Sequence, residues 1–299
     1  MAKIVCIHGI GQDFEGPETL KNRWLDALND GLNIAGSQKV SSEDVQLVFF
    51  GNLFRPDVDY RNVSGGAELQ TPDELSDDGW KEDLLVEWWK EAAQLSQNEN
   101  AEKLLGTSEV QPPNMDGRAR TPKILQSALL QLSKTKFFKL IGPKKLLIST
   151  LGQVKLFLHD AEYKRKIIDR VRENVSGDTQ IVIGHSLGSI VAYEALCLNP
   201  SWQIKGFVTL GSPLGIRNLI FDNLTPKPDG KIGFWPGNVK RWTNICDSGD
   251  IVALEKKLSV YFRGVEDHMI YNGWQSHDIR RYLSSEVTGK AIANCLYHM

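Results

Sequence analysis

The stretch TQIVIGHSLGSIVAYEAL, residues 179–196, joins two apolar segments through the pentapeptide GHSLG at residues 184–188. A β-branched run that meets two closely spaced glycines and then a helix-forming sequence predicts a strand turning sharply into a helix. Both glycines are required there because a Cβ would collide with the neighbouring strand or helix. The turn therefore lifts the central Ser186 above the sheet, where the helix N-terminus favours a developing negative charge.

Similar apolar runs recur along the chain and indicate strands that are buried on both faces. They occupy residues 3–9, 45–51, 180–186, 204–213, 239–250 and 258–265. Amphipathic helix patterns lie between and after them, at residues 17–32, 161–175, 189–196 and 279–296. This alternation of strands and helices predicts an α/β fold with a doubly wound, mostly parallel sheet.

The alternation stops between residues 52 and 158, where the sequence predicts a largely helical insertion within the same domain, a lid or cap. Residues 79–97 have a clear amphipathic helix pattern. Residues 122–158 indicate two or three helices broken at Gly142-Pro143. The remaining segments, 1–51 and 159–299, are predicted to form the sheet domain itself.

The charges of the insertion are unevenly distributed. Residues 68–102 contain eleven acidic residues and two lysines, whereas residues 121–159 contain seven lysines and no acidic residue. One interpretation is two solvated helical faces that pair with each other. The other is a lid whose basic and apolar helices contact a membrane surface or an anionic substrate.

Composition and charge narrow the functional classes. The 299-residue chain has a formal net charge of -2, so attraction to nucleic acid is not expected. The apolar run at its start is too short for a signal peptide, and no stretch reaches the roughly 18 apolar residues of a membrane span, which predicts a cytoplasmic protein. The cysteines have no metal-ligand spacing and are interpreted as buried free thiols: Cys6, Cys197, Cys246 and Cys295.

A second glycine-rich segment follows the first predicted strand, in KIVCIHGIGQ. It places a flexible backbone at the carboxyl edge of the sheet, where sites form in α/β proteins. Acyl-transfer chemistry needs two N–H groups facing the oxyanion, and the sequence offers those of Ile10 and Leu187. We interpret His8, Gly9 and Gly11 as residues that shape this loop.

A serine nucleophile also needs a base and an acid that orients the base. Asp250 follows a predicted strand and a Ser-Gly turn at the same sheet edge. Asp247 competes with it, although aspartate is common in such turns for capping reasons. For the base, His277 lies in a loop just before the last helix pattern, and His268 near the end of the preceding strand is its rival. We favour Asp250 and His277.

These motifs resemble the α/β-hydrolase superfamily, in particular its lipase and esterase branch, which has an HG-x-G oxyanion loop near the N-terminus. The resemblance covers residues 3–51 and 160–299. Ser186, Asp250 and His277 follow the family's order of nucleophile, acid and base. The resemblance implies an α/β-hydrolase fold. In this chain the helical insertion lies before the nucleophile strand, whereas many lids of the family come after it.

The implied activity is hydrolysis of carboxylic esters of lipids or other hydrophobic acyl groups. His277 takes the proton of Ser186 while Asp250 holds the imidazole, and the Ile10 and Leu187 amides bind the oxyanion. No metal and no cofactor is expected. The expected partner is the ester substrate, with no nucleic acid. Under one of the two interpretations of the lysine-rich insertion, a membrane surface is a further partner.

Two alternatives stay open. A thioesterase or acyltransferase would use the same three side chains and differ in the group that resolves the acyl-enzyme. A non-catalytic binding or signalling module could occupy the same scaffold, although it would not need the complete set of residues. A nucleotide-binding protein is disfavoured because the chain lacks both common phosphate-binding glycine motifs.

Overall fold

The computed structural model describes residues 2–55, 79–113, 122–135 and 144–297. Within these ranges six strands form one sheet in which every neighbouring pair is parallel. The strands are β1 (Ile4–Ile7), β2 (Val45–Val48), β3 (Ile181–His185), β4 (Gly206–Leu210), β5 (Arg241–Asp247) and β6 (Glu266–Ile270). Their order across the sheet is β2-β1-β3-β4-β5-β6, so the strand order reverses between β1 and β3. In open α/β sheets, ligands bind at such a reversal, outside the carboxyl ends of the strands.

Helices cover both faces of the sheet, as the predicted fold class requires. Those described are α1 (Pro17–Ile34), α2 (Trp80–Ser96), α3 (Ala101–Leu104), α4 (Pro122–Leu132), α5 (Lys144–His159), α6 (Ala161–Asn174), α7 (Leu187–Leu198), α8 (Ile279–Leu283) and α9 (Glu286–Tyr297). The prediction of an α/β fold built on a parallel sheet is confirmed. Among the described residues, no helix combines the length and apolarity that crossing a membrane would need.

Two apolar cores result from the alternation of side chains along the strands. Ile4 and Cys6 of β1 point to one face, in the same buried cluster as side chains of α1 and α9. Val5 and Ile7 point to the other face, in a cluster with side chains of α6 and α7. All four residues are buried, which explains why β1 has an unbroken apolar run. The four cysteines are unpaired, and Cys197 is only partly buried.

The prediction of a strand at residues 258–265 is wrong. Residues 258–260 form a short 3-10 helix, and the last strand follows as β6. Leu258 and Phe262 are fully buried at a helical spacing of four, so their apolar character reflects a turn anchored on the core. β6 is an edge strand with mostly exposed side chains, and it therefore lacks the apolar run by which the other strands are recognised.

The predicted helix at residues 279–296 is divided into α8 and α9. The interruption is at Ser284 and Ser285, and the Ser285 Oγ accepts a hydrogen bond from the Thr288 N–H at 3.2 Å. A serine that bonds the amide three residues later is a common start for a helix. The second half of the apolar pattern therefore begins a new helix.

The described parts of the predicted insertion pack into the same core as the sheet. Leu85 and Trp88 of α2 and Phe157 of α5 belong to the buried cluster that contains Ile7 and Val5. Further contacts tie α2 to the sheet segments, since the indole Nε1–H of Trp80 donates to the Leu219 carbonyl at 3.0 Å. The insertion and the sheet thus share one apolar core.

Part of the predicted charge asymmetry lies outside the described residues. This applies to the helix break at Gly142-Pro143, to Lys136 and Lys139, and to the side chains of Lys123, Lys144 and Lys145. Within the described part, Lys134 Nζ donates to the backbone oxygen of Glu109 at 2.9 Å, which ties the basic segment to the loop after α3. The membrane-contact interpretation remains a prediction.

Candidate active site

Ser186 occupies the turn between β3 and α7 and has a strained backbone. Its φ of 54° and ψ of -128° make it one of two non-glycine residues with positive φ in the described chain. Such conformations cost on the order of 1–3 kcal/mol and persist only where the surroundings enforce them. Here the Ser186 N–H donates to the Leu210 carbonyl at 3.1 Å, and the Ser189 hydroxyl donates to the Ser186 carbonyl at 2.6 Å.

The two glycines of the turn allow backbone segments to approach closely. A Cβ on Gly188 would lie 2.1 Å from the Ile7 carbonyl oxygen, and a Cβ on Gly184 would lie 2.6 Å from the Ser189 Cα. Helix α7 therefore packs directly against the end of β1 through Gly188. This contact brings the loop after β1 next to Ser186.

His277 and Asp250 form a buried pair beside this turn. The His277 Nδ1 lies 2.7 Å from Asp250 Oδ2, and the Asp250 side chain is fully buried. The other carboxylate oxygen accepts the N–H groups of Val252 at 3.0 Å and Ala253 at 3.4 Å. Since the carboxylate accepts from His277, the imidazole carries its proton on Nδ1 and leaves Nε2 as a base.

Asp250 remains ionised despite its burial. Desolvation opposes the charged form, but His277, Lys256 and the Tyr282 hydroxyl outweigh it and lower the pKa to about 2. The Tyr282 hydroxyl donates to Asp250 Oδ2 at 2.7 Å, on the same oxygen that faces His277. It also accepts the Asp247 N–H at 2.8 Å, so the phenol fixes the acid against the end of β5.

The pair is linked to Ser186 through neighbouring residues. A Cβ on Gly211, the residue after Leu210, would lie 2.7 Å from Asp250 Oδ2 and 3.1 Å from His277 Nδ1. The imidazole rings of His185 and His277 are 4.7 Å apart. The His277–Asp250 pair therefore contacts residues adjacent to Ser186 and to its partner Leu210, at the carboxyl ends of β3, β4 and β5.

The rival acid Asp247 has a different set of partners. Its two carboxylate oxygens accept the N–H groups of Gly249, at 2.7 Å, and of Asn272. Burial is the largest effect on this carboxyl and raises its pKa to about 7. Asp247 holds the turn after β5 to the loop that leads to His277, and it acts as an anchor for the segments that carry the pair.

The rival base His268 lies on β6, where its side chain is exposed. The neighbouring Asp267, which could have oriented it, instead accepts hydrogen bonds from Asn244 Nδ2, from the Leu258 N–H and from the Ser259 N–H. His268 is thus exposed and its neighbouring aspartate is bonded to other groups, whereas His277 contacts the buried Asp250.

Replacing Asp247 by Asn is expected to remove a pH-dependent loss of stability. The native carboxyl keeps its proton up to about pH 7, whereas the unfolded chain releases it near 3.8. The native state therefore binds more protons between these values, and its free energy of unfolding falls as the pH rises, by up to about 1.4 kcal/mol per pH unit. Urea denaturation across this window should show that slope in the wild type relative to Asp247→Asn. The exposed Asp229→Asn is the control, and parallel curves for wild type and Asp247→Asn would contradict the assignment.

The loop after β1 lies directly against the serine. A Cβ on Gly9 would be 2.8 Å from the Ser186 Cβ. His8 is fully buried and stacks on the Phe50 ring with centroids 4.0 Å apart. Its Nε2 accepts the Phe50 N–H at 3.0 Å, and its Nδ1 lies 2.6 Å from the Gly9 carbonyl oxygen. Burial lowers the His8 pKa to about 4, so the ring is neutral and its Nδ1–H donates to Gly9.

This arrangement restrains the direction of the Ile10 amide. In a trans peptide the N–H points away from the carbonyl oxygen, so a contact that holds the Gly9 carbonyl also limits the rotation of the Ile10 N–H. The Leu187 N–H belongs to the first turn of α7, where amides have no partner within the helix. Within the described residues, neither the Ile10 N–H nor the Leu187 N–H donates a backbone hydrogen bond. Both remain available to an anion.

His185 has a role that its place in the pentapeptide does not reveal. Burial and the nearby His277 lower its pKa to about 3, so the ring is neutral at physiological pH. Its Nε2 lies 3.1 Å from the His277 carbonyl oxygen and donates to it, which holds the loop carrying the base. The sequence offered no signal for this contact or for that of Tyr282, because both partners come from distant parts of the chain.

No protein-family model, curated protein or solved structure matches the chain. Any conclusion about function rests on the geometry of the site. In the part of the chain that the structure describes, no group of three or more His, Cys, Asp or Glu side chains could hold a metal ion.

Proposed function

We propose that the chain is a serine hydrolase that cleaves carboxylic esters through an acyl-enzyme. The observation that carries the proposal is Ser186, strained at a strand–helix turn, beside a buried His277–Asp250 pair. Backbone strain of this kind is retained where it positions a reacting group. Histidine, with its Nδ1–H bonded to an ionised carboxylate, is equipped to accept a proton at Nε2.

The reaction would proceed in two steps. His277 Nε2 takes the Ser186 proton as Oγ attacks the ester carbonyl, and the Ile10 and Leu187 N–H groups stabilise the oxyanion. Collapse of this intermediate transfers the proton from His277 to the leaving alcohol and leaves an acyl-serine. Water, deprotonated by His277, then attacks the acyl group, and His277 returns the proton to Ser186 Oγ as the acid is released. Asp250 remains ionised and stabilises the imidazolium in both steps.

The surroundings of the site favour a hydrophobic acyl group. Ser186 is only 2% exposed, and Leu187 next to it is fully buried. Helix α3 of the insertion contacts the acid-bearing turn, where a Cβ on Gly249 would lie 3.0 Å from the Leu104 carbonyl oxygen. Apolar side chains of the insertion continue the core on this face of the sheet. A water-poor, apolar surrounding suits an acyl chain better than a charged substrate.

The test uses the intact protein and a fluorophosphonate probe. We expect a stable adduct, and peptide mass spectrometry should place it on Ser186. Hydrolysis of p-nitrophenyl esters, from acetyl to lauroyl, should be fastest with a medium or long acyl chain, and acyl thioesters assayed in parallel should react more slowly. Heat-denatured protein is the control for non-specific labelling. An adduct on another residue, or the absence of both labelling and hydrolysis, would overturn the proposal.

A further inference from the structure

A buried glutamine of the insertion reaches the loop after β1. Gln153 on α5 accepts the Gly11 N–H on its Oε1 at 3.2 Å. Its Nε2 donates to both carboxylate oxygens of Asp13, at 2.7 and 2.8 Å. Gln153 is 3% exposed and Asp13 is 4% exposed, so the contact between these two side chains is shielded from water. A helix far along the chain thus holds the segment that contains Ile10.

The orientation of the Gln153 amide is determined by Asp13. An ionised carboxylate accepts hydrogen bonds and donates none, so the Nε2 of Gln153 must face it. The Oε1 of Gln153 must then face the Gly11 N–H. Burial raises the Asp13 pKa, while the Gln153 hydrogen bond acts in the opposite direction and favours the carboxylate. The Gln153 amide therefore has one orientation, with its Nε2 toward Asp13 and its Oε1 toward Gly11.

The contact restrains the loop at Gly11. Gly11 has a φ of 75°, a conformation that glycine adopts without steric cost and that needs an external restraint to persist. The peptide before Ile10 is held at its carbonyl by His8, and the peptide after Ile10 is held at its N–H by Gln153. With both peptide planes restrained, the direction of the Ile10 N–H is set.

We propose that Gln153 and Asp13 are positioning residues for the oxyanion donor at Ile10, through which the helical insertion orders the acyl-transfer site. The inference rests on the proposed function. Preorganised donors act because they need no reorientation when negative charge develops. A loop released from Gln153 would still bind substrate but would stabilise the oxyanion less.

The experiment exchanges the amide of Gln153 and the carboxylate of Asp13. We expect Gln153→Ala and Gln153→Glu each to lower kcat for p-nitrophenyl butyrate by about 10- to 100-fold, less than the loss of a whole donor, with KM changed by less than about threefold. Gln153→Glu places two carboxylates together, which repel. In the double variant Gln153→Glu/Asp13→Asn, the new amide at position 13 donates to the new carboxylate at position 153, whose other oxygen accepts the Gly11 N–H. The double variant should recover kcat to within about threefold of wild type.

Controls separate positioning from folding and from the proposed function. Gln94→Ala, at an exposed position on α2, should match wild type. Rates are divided by the active fraction from fluorophosphonate titration, and hydrogen exchange of residues 8–13 should be faster in Gln153→Ala and restored in the double variant. Kinetics of Gln153→Ala equal to those of Gln94→Ala would overturn the inference alone. If a smaller active fraction accounted for the whole rate loss of Gln153→Ala, the inference would also be overturned. A wild type without labelling or hydrolysis would overturn both proposals.

Discussion

Ser186→Ala is expected to lower kcat for ester hydrolysis by about 10⁶-fold and to leave the fold intact. The substitution removes the attacking oxygen, and water at the same position would have no comparable activation. Ala keeps the Cβ, so the strained backbone costs the same in both proteins. The hydrogen bonds that hold Ser186 in place involve its backbone N–H and carbonyl, and both groups persist in the variant.

The measurement compares kcat and thermal denaturation of Ser186→Ala with those of wild type. Ser201→Ala is the matched control, because Ser201 is exposed in the turn after α7 and should alter neither quantity. Residual activity of the Ser186→Ala protein within about tenfold of wild type would contradict the nucleophile assignment. A strong loss with an unchanged unfolding temperature would support it.

Asp250→Asn is expected to lower kcat by about 10⁴-fold. The carboxylate oxygen that faces His277 at 2.7 Å would become either an amide donor or a weaker acceptor. An amide N–H facing Nδ1 would force the imidazole to carry its proton on Nε2. That tautomer cannot accept the serine proton, and without the carboxylate charge the imidazolium is less stable.

Asp247→Asn is the decisive comparison for Asp250→Asn. Both carboxylates are fully buried and lie three residues apart at the end of β5, but only Asp250 contacts His277. Per active enzyme, the kcat of Asp247→Asn should stay within about tenfold of wild type. The substitution removes an anchor of the loop, whereas Asp250→Asn changes the group that contacts His277. If Asp247→Asn lost more activity than Asp250→Asn, the roles of the two acids would be exchanged. His268→Ala and His277→Ala form the corresponding pair for the base.

Features encoded within a few consecutive residues were predictable. Two glycines and an apolar run predict the strand–turn–helix at Ser186, and unbroken apolar segments predict the parallel sheet. The placement of β6 was not predictable, because an edge strand with exposed side chains needs no apolar pattern. The sequence likewise joined α8 and α9 into one helix, since their apolar spacing continues across the serines that separate them.

Contacts between distant residues account for what the sequence could not provide. Asp247 and Asp250 lie in one turn, and only the position of His277 in space distinguishes them. Gln153 and Asp13 are 140 residues apart, and no local spacing marks a glutamine inside an apolar helix as the partner of a loop. His185 and Tyr282 belong to the same group, since each supports the site through a residue brought close only by folding.

The place of β1 between β2 and β3 also has a consequence for biosynthesis. β1 ends at Ile7 and β3 begins at Ile181, so the edge of β1 that pairs with β3 has no hydrogen-bonding partner until residues 181–184 have been made. The apolar helices of the insertion are synthesised within that interval and belong to the cluster that covers Val5 and Ile7. By covering the apolar face of β1, they can limit the aggregation of a strand whose edge is still unpaired.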